Sequence, residues 1–262
     1  GTTTRTIEGD VRPTRMSFTS KTGLIRVNEA DGSDLTGCYA MFMGCTNLTY
    51  VNITNIVKST ELQGMFMNCE KLETIDGMET WDTTVNTSMA AMFSGCKKLK
   101  NFNVSNFDVS NVQAMGAMFR YCYEITEVDL SKWRTPNAQY ISGMFTSCTG
   151  LTKLDLSSFN AENFGEANQV VTNCTNLTEI NLSNWIFTES NSIRLDNPAN
   201  KLSVTYFFNK CTNLNKLIME NTNYFTINKI IDTLPTRTSD SKGQIILSME
   251  ENLDEALSNK AS

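Results

Sequence analysis

Cysteine is the residue whose type and spacing most invite a chemical reading of this chain. There are eight cysteines. Seven recur at positions 45, 69, 96, 122, 148, 174 and 211, in steps of 24, 27, 26, 26, 26 and 37 residues. Thiols can hold a metal, exchange disulfides or attack an electrophile. A metal site needs convergent ligands at short spacings, and a nucleophile needs an adjacent base. The chain contains no histidine, so the usual zinc ligand and general base are missing. No Cys-x-x-Cys, Gly-rich phosphate loop or Ser-x-x-Lys constellation stands out. Each repeated cysteine is instead flanked by large apolar residues, mostly Phe before and Leu after, and free Cys readily behaves as a small buried apolar residue. The reading is therefore a column of reduced, stacked thiols. The rival reading is a disulfide framework, for which Cys38 and Cys45 are the only near pair. No catalytic, cofactor-binding or metal-ligating residue is assigned, and an enzyme ranks last among the functional readings.

Composition narrows the partners. With 40% hydrophobic and 19% charged residues, the chain can build a core. Its net charge of −6 and pI near 4.9, with no basic run, argue against nucleic acid and against an anionic membrane surface. No run of 18 apolar residues is present, so no transmembrane helix is expected. Gly1-Thr2-Thr3-Thr4-Arg5 lacks the layout of a signal peptide, and residue 1 is not Met. The chain reads as a processed or recombinant fragment from which any export signal has been removed.

The elements that carry these residues follow from the period. Five segments read Met-Phe-x-x-Cys, beginning at Met41, Met65, Met92, Met118 and Met144; Val170-Val171 and Phe207-Phe208 open two looser copies. Three residues after each Cys stands an aliphatic (Leu48, Leu72, Leu99, Ile125, Leu151, Leu177, Leu214), and three further on another apolar residue (Val51, Ile75, Phe102, Val128, Leu154, Ile180, Leu217). Two beyond that lie Ile53, Val104, Leu130, Leu156, Leu182 and Met219, with Gly77 the departure. The last two columns alternate with polar residues, as a half-buried strand requires. An aromatic column follows at Trp81, Phe107, Trp133, Phe159 and Trp185. It reads as core, with Trp185 the best candidate for partial exposure and for a carbohydrate platform. Apolar spacing at Val112, Met115, Met118, Phe119 and Cys122, and again at Ile141, Met144, Phe145 and Cys148, predicts a short helix or 3₁₀ segment.

A fixed period in this range means a solenoid, each unit burying its apolar side against its neighbours. Seven strands about 4.8 Å apart make a parallel sheet roughly 30 Å wide. The bulkier helical side spreads further and leaves that sheet concave. The division is an N-terminal cap over 1–37, seven repeats over 38–220 and a C-terminal cap over 221–262. Gly23–Val27 reads as an opening strand, Asp31-Gly32-Ser33-Asp34 as a turn, and Gly243–Leu247 as a closing strand. Thr226 is placed as the cap of a helix with face Ile227, Ile230, Ile231 and Leu234. Ser248 and Glu251 form a capping box for a final helix, and a loop bulges near Asn197-Pro198.

At these columns the chain resembles the leucine-rich repeats of BspA-type bacterial surface proteins, in the short Met-Phe-x-x-Cys variant common in mycoplasma and gut-bacterial surface proteins. The clearest unit is Met144 to Phe159, MFTSCTGLTKLDLSSF. The resemblance covers roughly residues 38 to 220. It implies a right-handed α/β leucine-rich solenoid with short convex helices, export, cell-surface or extracellular display, and adhesion to host or microbial partners. It carries no shared catalytic residues.

The candidate site is the outward face of the sheet. One column runs Asn52, Asp76, Asn103, Asp129, Asp155, Asn181; its neighbour runs Tyr50, Thr74, Asn101, Glu127, Lys153, Glu179, Lys216. Side chains alternate along a strand, so both columns face solvent. Tyr50, Asn52, Asp76, Asn101, Asn103, Glu127, Asp129, Lys153, Asp155, Glu179 and Asn181 are the candidate contacts to a protein or glycan ligand. The plain alternative is a wet face that suppresses edge pairing. Weak calcium binding at Glu127, Asp129 and Asp155 is a minor reading. Three functions stay open: adhesion or protein binding, a spacer in a surface assembly, and glycan capture.

Overall fold

The computed structural model describes residues 17–187 and 202–234, and the backbone of 244–248. The loop expected near Asn197-Pro198 and the helix expected after Ser248 lie outside these residues. The chain coils as a solenoid of stacked parallel turns. β1 (Arg26–Asp31), β2 (Tyr50–Thr54) and β3 (Thr74–Asp76) form one parallel sheet. β4 (Lys153–Asp155), β5 (Glu179–Asn181), β6 (Lys216–Glu220) and β7 (Gln244–Ser248) form a second. Register follows the repeat columns: Val51 pairs with Ile75, Leu154 with Ile180, and Ile180 with Leu217. The solenoid and its parallel strands stand as read from the columns. The single seven-stranded sheet does not, because it is interrupted between β3 and β4.

The Met-Phe segments also differ from expectation. They are not helices; among the described residues only α1 (Tyr224–Ile231) and a 3₁₀ turn at Met78–Thr80 are helical. Each segment has two residues at positive φ, one before the Met slot and one before the Cys slot: Ala117 (φ 55°) and Tyr121 (φ 62°), Gly143 (φ 66°) and Ser147 (φ 62°). Alternate N–H groups then split their duties. Met118, Arg120 and Cys122 donate back three residues to Met115, Ala117 and Phe119, closing tight turns. Ala117, Phe119 and Tyr121 donate across to Ser142, Met144 and Thr146 of the next turn. The same three cross-bonds recur from Ala40, Phe42 and Gly44 through to Gln169, Val171 and Asn173. A segment this short would leave most helical N–H groups unpaired, and stacking satisfies them instead. Single non-glycine residues at positive φ cost about 1–2 kcal/mol each, and the cross-bonds hold them there.

The core follows the columns. Phe18, Phe42, Phe66, Phe93, Phe119 and Phe145 stack with ring centroids 5.2–5.9 Å apart and planes within 14°, in the range favoured by offset aromatic pairs. Phe18 shows that the stack begins a turn before Met41-Phe42. Ser17-Phe18 occupies the Met-Phe slot and Lys21 the cysteine slot, and Leu24 and Val27 are buried as Leu48 and Val51 are. The opening strand forms three residues later than expected, at Arg26–Asp31 instead of Gly23–Val27, because Thr22 and Gly23 are taken up in a turn; the Asp31 turn follows it, with Ser33 N–H donating to Asp31 Oδ1 at 3.0 Å. At the other end, the cap of α1 lies three residues before the expected one. Asn223 is the N-cap, its side-chain oxygen accepting from Thr226 N–H at 2.9 Å, while Thr226 is buried within the first turn.

Candidate functional site: the strand face

The residues with the strongest chemical potential point inward. All eight cysteines are free and buried. Each thiol of the column donates to the carbonyl of the Phe-slot residue one turn back: Cys96 to Phe66, Cys122 to Phe93 and Cys148 to Phe119, at 3.0–3.1 Å. Burial pushes the thiols upward, Cys148 and Cys211 to about 12 from the ordinary 9.0. An unfolded thiol therefore ionises near 9 while the folded one keeps its proton. Between those values the unfolded chain binds fewer protons, so stability is fully present below about pH 9 and falls as pH rises toward 12. The expected slope is about 1.4 kcal/mol per pH unit for each such thiol. Urea unfolding at pH 7, 9 and 10.5 checks this; a flat profile above pH 9 contradicts the buried column.

The aromatic column is core throughout. Trp185, expected to be the most exposed, has no exposed surface, and Trp133 has none either. The correction has a physical cause: each indole is tied into the stack. Nε1–H of Trp81, Trp133 and Trp185 donates to the carbonyl of Ile53, Val104 and Leu156, one turn back, at 2.7–3.0 Å. The glycan reading thus loses its aromatic platform.

The eleven candidate residues lie outward on the strand side, none of them buried. Their roles split. Asn103, Asp129, Asp155 and Asn181 each accept, through Oδ1, the backbone N–H of the serine two residues on, at 2.9–3.0 Å. These are Asx turns, which bend the chain out of the strand. Asp129 also accepts from Ser131 Oγ at 2.7 Å, and that hydroxyl, ahead of the amide, holds its carboxyl below the usual range. Asp76 accepts from Tyr50 Oη at 2.7 Å, a bond that raises the Tyr50 phenol. Arg26, a residue not included among the candidates, lies 4.0 Å over the Tyr50 ring. Asn101 donates to Thr74 Oγ1 at 3.1 Å. Asn52 lies beside Gly77.

The neighbouring column carries an ionic ladder. Glu179 sits between Lys216 at 3.2 Å and Lys153 at 3.8 Å. The alternation Glu127, Lys153, Glu179, Lys216 was readable in sequence as a cross-strand charge pattern. Such exposed pairs contribute about 0–1 kcal/mol. Glu127 enters no ion pair among the described residues. No group of three or more Cys, Asp or Glu side chains suited to a metal occurs among the described residues, and no helix there is long and apolar enough to cross a membrane.

Stacked turns of L-x-x-L-x-L strands with an inward thiol and ring column define a leucine-rich-repeat solenoid. Residues 60–185, a little under half of the chain, match the family described as Mycoplasma protein of unknown function, DUF285. The Met-Phe-x-x-Cys columns of these repeats resemble those of BspA-type proteins. No curated protein matches the chain. Among solved structures, a leucine-rich repeat protein from Bacteroides ovatus matches at 17% identity and TM-score 0.32, over 88% of this chain and 68% of that one.

Proposed function

We propose that this chain is a non-enzymatic, exported bacterial repeat protein that binds a macromolecular partner through its strand face. The supporting observation is the alternation on that face, which holds on five of its seven turns. Val51, Ile75, Leu154, Ile180 and Leu217 are buried, and the polar candidates beside them are not. Such a broad, shallow, polar surface suits a protein segment better than a small molecule, which selects concave apolar pockets. Surface display and adhesion are carried over from the BspA-like resemblance.

The Asx turns dictate how to test this. Alanine at Asp129 or Asp155 removes a turn cap as well as a charge. Glu127→Gln with Asp129→Asn and Asp155→Asn keeps the caps, since Asn103 and Asn181 already serve in that slot. Loss of a specific partner in pull-down by the triple variant, with melting unchanged, is the expected result. Retention of the partner moves the site off these carboxylates.

A spacer role is the second reading. It draws on the same turns: four of the outward side chains already serve the fold, and backbone cross-bonds run along the stack. A folded chain that captures no partner from host or bacterial surface extracts favours it.

A further inference from the structure

The interruption between β3 and β4 centres on residues 126–130, which share no strand ladder or isolated bridge with the turn before or the turn after; the Thr152-to-Thr126 bond, at 3.4 Å, is their one backbone link to the turn after on the strand side. One backbone bond recurs on the strand side at every step but one. Thr49 N–H donates to Ile25, Glu73 to Thr49, Lys100 to Glu73, Thr152 to Thr126, Thr178 to Thr152 and Asn215 to Thr178. The step from Thr126 to Lys100 is missing. No backbone hydrogen bond joins residues 100–104 to 126–130, and these two segments share neither a strand ladder nor an isolated bridge. The other seams of the same interface are closed. Ala91, Phe93 and Gly95 donate to Gly116, Met118 and Arg120, Ser88 bridges Ala114, and Trp133 Nε1–H holds Val104.

The inward strand slot accounts for the missing Thr126-to-Lys100 step. Other turns fill it with Val, Ile or Leu; here it holds Phe102. Its ring enters the phenylalanine stack at 5.8 Å from Phe93 and 5.9 Å from Phe119, tilted 42° and 39° to them. A ring in an aliphatic slot takes more room than the roughly 4.8 Å spacing of paired strands allows. Phe102 and Val128, on the two sides of the gap, are only partly buried, whereas Val51, Ile75, Leu154, Ile180 and Leu217 are buried.

We infer that the solenoid is hinged here: Phe102 wedges the strand side open between residues 101–104 and 126–129, and the two sheets tilt about the continuous Met-Phe seam. The inference does not depend on the binding proposal. It makes the strand face two rigid plates joined by a soft step, with Asn101, Asn103, Glu127 and Asp129 at the joint.

Residue-resolved amide hydrogen exchange on the whole chain tests it. Amides of 102–104 and 126–129 are expected to exchange at least about 100-fold faster than those of 51–53 and 180–182, because local opening replaces global unfolding there. Phe102→Val restores the common slot residue and is expected to slow those amides by about tenfold or more; Phe102→Leu serves if the valine variant does not fold. Wild-type amides at the gap protected as well as those of β2 and β5 overturn the hinge. So does a folded variant whose gap amides exchange as fast as before. If neither variant folds, the wild-type pattern decides.

Discussion

Replacing Phe119 by alanine is expected to remove about 3–5 kcal/mol of stability. Phe119 is fully buried. Its ring stacks on Phe93 at 5.4 Å and Phe145 at 5.2 Å, and Phe102 leans on it at 5.9 Å. Truncation opens a cavity shared by three turns, at the interface that already lacks its strand ladder. In a solenoid each turn is stabilised chiefly by its neighbours, so weakening one interface uncouples the two sides. Urea unfolding followed by tryptophan fluorescence should then show two transitions, because Trp81 lies before the weakened interface and Trp133 and Trp185 after it. The same truncation at Phe66, whose turn is laddered to β2 and bridged at Thr74 to Asn101, should cost a similar amount and uncouple less. A loss at Phe119 below about 1 kcal/mol, with a single sharp transition, would contradict this account of the core.

Gly77→Val is expected to cost about 3–4 kcal/mol, although the repeat columns read alone suggest that it should help. Every other turn places an aliphatic at that slot: Ile53, Val104, Leu130, Leu156, Leu182 or Met219. Gly77, however, has φ 86°, and a Cβ there would lie 2.4 Å from the Ile53 carbonyl oxygen. That oxygen is the acceptor for Trp81 Nε1–H at 2.7 Å. Gly77 also opens the 3₁₀ turn Met78–Thr80, accepting from Thr80 N–H at 3.1 Å, and Met78 fills the core in its place. A β-branched residue is strained at positive φ and would push Trp81 off its acceptor. Thermal melting and the Trp81 emission maximum report both effects. A variant as stable as the parent would show that the turn can rebuild as a regular strand.

These two sites mark how far the columns could be read. The thiol, ring and aliphatic positions were legible because burial depends on residue type and spacing, both of which a 26-residue repeat displays directly. The outward columns were legible for the same reason. Their purpose was less so. The Asp129-Leu130-Ser131 and Asp155-Leu156-Ser157 spacings are Asx-turn signals as much as features of a groove, and local sequence alone does not say which use dominates. The Met-Phe segment misled because apolar residues at i, i+1 and i+4 fit a helix and a stacked double turn equally well. The choice between them rests on hydrogen bonds to residues 23–36 positions away, as from Ala40 to Gln63 or Gln169 to Thr205.

Residue order was enough to establish that the chain coils, how often, and which side chains face in, because those follow from periodic burial of apolar groups. Contacts between turns set everything else: positive-φ turns in place of helices, indoles tied to carbonyls of the preceding turn, Gly77 excluded from a strand, and a sheet parted at Phe102. Each of these depends on how closely one turn approaches the next. That distance is set by backbone hydrogen bonding and ring volume between residues far apart in the chain, which a column of residue types does not record.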